Sequence, residues 1–185
     1  MSNLKKVNNA AYKTTIDIGA GKLTQITWYF INIFFFKNSL NVSSGLKVFL
    51  LKLFGAKIGR GVVIKPKVNI KYPWKLQIGD HSWIGEEIWI DNLSSVIIGE
   101  SVTLSQGALI FTGSHDHTKE TFDFISFPIV LEDGCWVGAR AVVYGGVTCG
   151  THSILGINAV AESNLQPYTI YKGNPAIPVL KRVIN

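Results

Sequence analysis

The stretch Ile58 to Ile110, IGRGVVIKPKVNIKYPWKLQIGDHSWIGEEIWIDNLSSVIIGESVTLSQGALI, decides the fold. Ile58-Gly59, Ile78-Gly79 and Ile98-Gly99 recur at intervals of twenty, and inside each interval an aliphatic residue returns six later: Ile58, Ile64, Ile70; Ile78, Ile84, Ile90; Ile98, Leu104, Ile110. After an interruption the same beat resumes at Leu131, Val137, Val143, Cys149, Leu155 and Ala161. A period of six is neither helical nor simple alternation. It predicts a parallel β-helix of about five triangular coils over 58–166, each aliphatic residue pointing inward. Four positions after it a slim residue recurs (Val62, Val68, Ser82, Val102, Ala108, Cys135, Ala141, Val147, Ser153, Ala159), where the walls converge. Glycine often follows the aliphatic residue, as at Gly59, Gly79, Gly99 and Gly138, and is expected to supply the corner dihedrals.

Stacked coils pair strand to strand and leave a bare backbone edge at each end. Upstream, Leu46, Phe49, Leu50, Leu53 and Phe54 fall at helical spacing, so a helix in an N-terminal extension, 1–57, is expected to cover the first coil with that stripe. The segment 24–37 is apolar all round. It either packs on the prism or a neighbouring subunit, or lies in a membrane interface with Trp28 and Tyr29 at headgroup level. Downstream, Pro167, Gly173, Pro175 and Pro178 break the beat, which predicts an irregular tail, 167–185, lying over the last coil.

The chain has 185 residues, enough for one domain with a sizeable core. Apolar residues make up 47% and charged residues 16%, which excludes a disordered chain. A net charge of +6 suits nucleic acid, a phosphate-rich cofactor or an anionic lipid surface without choosing among them. No run reaches the roughly 20 apolar residues of a spanning helix, and no cleavable leader is evident, so a cytoplasmic chain is expected. Two cysteines, Cys135 and Cys149, read as small core fillers.

The chemistry is sought where the beat breaks. Between Ile110 and Leu131 about fifteen residues leave the prism, SHDHTKETFDFISFP over 114–128. A loop thrown from a rigid scaffold is where function concentrates. It holds His115, Asp116 and His117, and three readings stay open: a general base, a zinc site using His115 and His117, or polar loop residues without a task.

The Ile-Gly turns, Thr112-Gly113-Ser114-His115-Asp116, Ser126-Phe127-Pro128-Ile129, Gly134-Cys135-Trp136-Val137-Gly138-Ala139 and Gly173-Asn174-Pro175-Ala176 together resemble the hexapeptide-repeat acyltransferases. The likeness is nearest to the colanic acid biosynthesis acetyltransferase type and extends to maltose and galactoside acetyltransferases. It implies a left-handed β-helix, a homotrimer with active sites between subunits, acetyl-CoA as co-substrate, no metal, and a sugar or glycan acceptor in surface polysaccharide biosynthesis. The catalytic histidine of that family matches His115. Gly138, Ala139, Gly156 and Ile157 match positions lining the pantetheine groove. Lys172, Lys181 and Arg182 are then expected at the cofactor phosphates, which assigns the basic charge to the cofactor and not to nucleic acid. Asp116 is expected to hold the sugar or orient the imidazole, with a solvated loop carboxylate as the alternative, and Trp136 to wall the acceptor or thioester pocket, with a trimer contact shared with Trp83 and Trp89 as the alternative. The sequence departs from a Thr-Gly-His-Pro pattern by the inserted Ser114 and by Asp116 in place of proline. Two rivals stand beside this reading: a carbonic-anhydrase-like zinc enzyme using His81, His115 or His117, and a non-catalytic scaffold.

Overall fold

The structure is a computed structural model that describes residues 5–14 and 16–185. The six-residue beat becomes a prism of three parallel sheets. The first face stacks Lys57–Ile58, Leu76–Ile78, Val96–Ile98, Ile129–Leu131 and Thr148–Cys149. The second stacks Val63–Ile64, Trp83–Ile84, Thr103–Leu104, Trp136–Val137, Ile154–Leu155 and Thr169–Lys172. The third stacks Asn69–Ile70, Trp89–Asp91, Leu109–Phe111, Val142–Tyr144 and Val160–Ala161. Register follows the repeat, with Ile64 beside Ile84, Ile84 beside Leu104, Leu104 beside Val137 and Val137 beside Leu155. These side chains and the slim residues four positions later fill one buried column, in which Ser82 and Ser153 are the polar members.

The corners are built differently from expectation. Left-handed backbone falls three residues after the inward aliphatic residue, at Gly61, Lys67, His81, Glu87, Ser101, Gly107, Gly134, Arg140, His152 and Asn158. The glycine directly after the aliphatic residue is required instead by close approach. A Cβ on Gly79 would lie 2.6 Å from the carbonyl carbon of Gly99, and one on Gly138 would lie 2.8 Å from that of Gly156. Coil rests on coil there, and backbone cannot move aside.

The N-terminal extension closes the first coil's edge with hydrogen bonds. Helix α1 (Lys22–Ile31) runs into a π-helical turn, Asn32–Phe36, and helix α2 (Ser44–Leu53) follows, N-capped by the Ser43 hydroxyl on Leu46 N. Trp28 Nε1 donates to Ile70 O at 2.9 Å. Ser44 Oγ accepts from Ile64 N at 3.0 Å. Lys47 Nζ donates to Asn41 O (2.8 Å), Lys65 O (3.0 Å) and Ile64 O (3.3 Å). Strand-edge groups with no strand beside them thus find side-chain partners. Trp28, Phe36 and Phe54 pack together beneath, with ring centroids 5.1 and 5.3 Å from Trp28.

This corrects the expected covering stripe. Leu46, Phe49 and Leu53 are exposed, whereas Lys47 and Leu51 are fully buried. Two edge carbonyls and that of Asn41 hold the lysine; Leu50 and Phe54 pack against the core, while the outer members of the stripe, Leu46, Phe49 and Leu53, are turned away from the prism.

The tail also departs from the irregular segment expected. A sixth, incomplete coil continues through Leu165, bridged to Cys149, and Thr169–Lys172. After the turn at Gly173 the chain returns as Ile177–Lys181, antiparallel to Thr169–Lys172 and exposed along its length. Pro178 is tolerated there because this is an edge strand.

Candidate functional site

The break in the repeat is a β-hairpin, Gly113–His115 against Phe124–Ser126, springing from the corner between the third and first faces. Its base is anchored by the buried Thr112, whose hydroxyl donates to Asp91 O at 2.8 Å and accepts from Ser94 N at 3.1 Å, while Phe127 N donates to Thr112 O at 3.0 Å. Gly113 lets the strands close, since a Cβ there would meet the Phe124 ring at 2.8 Å.

His115 lies in a half-buried aromatic cradle. The Phe122 ring stacks on the imidazole at 4.5 Å and 5°, Phe124 meets it edge-on at 5.2 Å, and Tyr12 approaches at 6.0 Å. His115 Nδ1 is 2.9 Å from Phe122 O. A carbonyl only accepts, so the proton of the neutral ring sits on Nδ1 and the lone pair on Nε2. Nε2 is thereby prepared to take a proton.

Asp116 does not orient the imidazole. Its Oδ1 accepts from Thr118 Oγ1 at 2.6 Å and Thr118 N at 3.1 Å, and Lys119 Nζ lies 3.6 Å from Oδ2. Those hydrogen bonds hold its carboxyl below the usual Asp range. Asp123 is lowered as well, by its Thr121 hydrogen bond and by Lys119 at 3.4 Å. The two carboxylates brace the loop. His117 is exposed, and His81 occupies a left-handed corner. Among the described residues no group of three His, Cys, Asp or Glu side chains could hold a metal ion.

On the second face, Trp136, Gly138, Ile154, Leu155, Gly156, Ile157, Ile170 and Lys172 line one groove of about 390 Å³. Five residues expected at the acceptor or cofactor thus meet in one place: Trp136, Gly138, Gly156, Ile157 and Lys172. Ala139 adjoins it at the corner, half-buried. The lining is mostly apolar, with two glycines that bring main chain to the surface and Lys172 as its one cation, and Trp136 Nε1 donates to Ser105 Oγ at 2.8 Å. Such a channel suits a narrow amide-bearing arm ending in anionic groups.

The other two basic residues are elsewhere. Lys181 Nζ donates to Thr169 Oγ1 at 2.9 Å and lines a shallow pocket with Gln166, Tyr171 and Pro178. Arg182 Nη1 donates to Gly134 O (2.9 Å) and His152 O (3.1 Å), securing the tail to two coils. Cys135 and Cys149 are buried, and burial raises both thiols.

The sequence reading missed Phe122, Phe124 and Tyr12. The alternation Phe122, Phe124, Ser126 was the available signal, since period two marks a strand. Nothing in the local pattern flags Tyr12, although Asn8 N donates to Glu120 O at 2.8 Å and fixes that segment against the loop. A second cavity, between α1 and the third face, is lined by Trp28, Tyr29, Asn32, Lys71, Trp89 and Asp91 and holds none of the expected site residues.

No protein-family model matches the chain. It is 38% identical over 156 residues, 84% of this chain and 86% of the other, to a protein of Escherichia coli (strain K12) named as a colanic acid biosynthesis acetyltransferase. A hexapeptide-repeat-containing acetyltransferase of Vibrio cholerae O1 biovar eltor, solved in complex with acetyl coenzyme A, superposes with a TM-score of 0.78 at 22% identity, covering 88% of this chain and 89% of that one. A galactoside acetyltransferase solved in complex with coenzyme A gives a TM-score of 0.75 at 21% identity, covering 86% and 80%. At these identities the two superpositions carry the fold alone.

Proposed function

The chain belongs to the hexapeptide-repeat acetyltransferases, as its colanic acid relative indicates, and on that premise we propose that it moves an acetyl group from acetyl-CoA to a sugar hydroxyl, with His115 as general base. The observation that carries this reading is the Nδ1 contact with Phe122 O, which leaves Nε2 as the acceptor of a proton. In the proposed step Nε2 takes the proton of the sugar hydroxyl as its oxygen attacks the thioester carbonyl. The C–S bond then breaks, the imidazolium returns the proton to the thiolate, and an acetyl ester and free CoA leave. No acyl-enzyme is required, and the two cysteines stay buried in the prism core.

The groove through Gly138 and Gly156 is the proposed seat of the pantetheine arm, with Lys172 toward the phosphates and Ala139 and Ile157 along the wall. Lys181 and Arg182 have no part in that role, because neither lines the groove and they are held instead against Thr169, Gly134 and His152. Trp136 is kept as the wall between thioester and acceptor. Asp116 is assigned to bracing the loop.

His115 springs from the corner joining the third and first faces, while the groove lies on the second face and its corner with the third. Within one prism they stand at opposite edges of the third face. A site uniting base and donor is therefore best built from two copies, which supports a homotrimer with active sites between subunits. The acceptor class we propose is a glycan precursor of surface polysaccharide, met at the cytoplasmic side of the membrane. The test is direct: purified protein and acetyl-CoA are offered nucleotide-sugars and lipid-linked glycans while free thiol is followed. Thiol release dependent on one acceptor, with matching acetyl ester in the product, is expected; release from none of them would count against the reading.

A further inference from the structure

The end of the prism closed by the extension carries two properties that the acetyl transfer does not use. The first is a pair of apolar stripes facing away from the coils. On α1, Leu23, Ile26 and Phe30 repeat at i, i+3 and i+7 and are 78%, 56% and 52% exposed, on the side opposite the buried Trp28. Tyr29, Phe34 and Phe35 continue the apolar surface into the π-helical turn. On α2, Leu46, Phe49 and Leu53 repeat at the same spacing, opposite Lys47 and Leu51, and Phe49 and Leu53 are 61% and 66% exposed. Leu40 and Val42, in the connection between the helices, are exposed too. Large apolar groups gathered at one end of a molecule mark a contact surface.

The second property is charge. Between residues 18 and 79 the chain carries ten of its 18 lysines and arginines and none of its 12 acidic residues. Some of these cations are engaged: Lys47 by carbonyls, Arg60 by Asp80, Lys67 by Glu87 and Lys71 by Asp91. Lys22, Lys37, Lys52 and Lys57 are exposed and have no ion-pair partner among the described residues. The remaining chain is acidic on balance. A face of this sign repels a second copy of itself and complements an anionic surface.

We propose that this end of the prism docks on an anionic phospholipid bilayer, with Leu23, Ile26, Phe30, Phe34, Phe49 and Leu53 entering the headgroup boundary and Lys22, Lys37, Lys52 and Lys57 engaging the phosphates. No helix among the described residues is long and apolar enough to cross a membrane, so the contact is a docking of helix faces in the interfacial plane. The coils stand on that surface by their capped end. Each lysine near an anionic surface strengthens binding about five-fold, and the apolar stripes add to it.

The full chain is sedimented with vesicles of phosphatidylcholine containing about one third phosphatidylglycerol, and with phosphatidylcholine alone. Binding to the anionic vesicles that weakens as salt rises, and little binding to the neutral ones, is expected. Phe30→Glu with Phe34→Glu lowers vesicle affinity at least ten-fold with an unchanged melting temperature. Lys22→Glu, Lys37→Glu and Lys52→Glu together lower it by about a hundred-fold or more. Ile177→Glu, on the exposed tail strand, leaves it as it was. The proposal is overturned if the native chain stays in the supernatant with anionic vesicles, or if either helix variant sediments like it. It is equally overturned if Phe30→Glu with Phe34→Glu reduces the mass of the particle in solution, which would make the face a contact between copies.

Discussion

His115 Nδ1 lies 2.9 Å from the carbonyl oxygen of Phe122, and the Phe122 ring stacks on the imidazole it anchors. One residue therefore sets both the tautomer and the plane of the base. Phe122 adopts left-handed backbone, with φ of 49°, to make both contacts at once. Strain at a non-glycine residue beside a reactive group is the kind that persists because the surrounding structure imposes it.

The loop carrying that pair is expected to loosen in acid. Asp116 and Asp123 are held below the usual carboxylate range by hydrogen bonds from Thr118 and Thr121 and by Lys119. Depressed folded-state values mean that their contribution is complete above the unfolded pKa of about 3.9 and is lost as pH falls through the lower folded values. Amide exchange of residues 114–126 should accelerate below about pH 4 relative to the coils, and Asp116→Asn should show faster exchange already at neutral pH. Equal protection of loop and coils down to pH 3 would contradict the bracing role.

The two kinds of glycine should respond differently to a methyl group. Gly79→Ala drives a Cβ to 2.6 Å from backbone and should cost about 2 kcal/mol or more in urea denaturation. Gly107→Ala has room, its nearest neighbour being Arg140 Cγ at 3.4 Å, and pays only for its φ of 68°, about 1 kcal/mol. A reversed order would show that close approach between coils does not select glycine after the aliphatic residue.

Lys47 is buried against three carbonyls of the extension and first coil, and burial pushes its pKa down. Lys47→Met keeps the stem but leaves those acceptors unpaired, so a loss of roughly 3 kcal/mol is expected. The exposed Lys52→Met should stay within about 0.5 kcal/mol of the native chain. Calorimetric unfolding of the pair distinguishes an edge cap from a solvated charge.

Much of this architecture was legible because a strict period of six has one physical solution, and the inward residues from Ile58 to Ala161 all behave as it requires. The corner rule was not, since the left-handed position is occupied by Lys67, His81, Glu87 and Arg140 as well as by glycine and so leaves no compositional mark. The burial of Lys47 was not legible either, for a related reason. Hydropathy puts a lysine outside, whereas the bare edge carbonyls that draw it in belong to residues 64 and 65. The candidate base was visible from the broken beat, but its partner is a backbone carbonyl seven residues on, which no side-chain pattern reveals. Lys181 and Arg182 were drawn to the cofactor by charge alone, while the hairpin geometry sends them to Thr169 and to the Gly134 and His152 carbonyls.

In the second-face groove, Ile157→Glu puts a carboxylate where a pantetheine arm is proposed, and Lys172→Ala removes its one cation. Both should raise KM for acetyl-CoA, by about ten-fold or more for Ile157→Glu, with kcat within a factor of about three, as expected for lost uniform binding. Lys181→Ala should leave KM unchanged. If Lys181→Ala raised KM as much as Lys172→Ala, the groove assignment would be wrong.

The measurement that bears most directly on the mechanism is the turnover of His115→Ala against the native chain, with acetyl-CoA and the sugar acceptor that supports thiol release, alongside the thermal shift caused by CoA. The account predicts a fall in kcat of about 10²–10⁴-fold with the CoA-induced shift intact, because the variant loses the base and keeps the groove. Turnover near the native rate, with the shift intact, would contradict it.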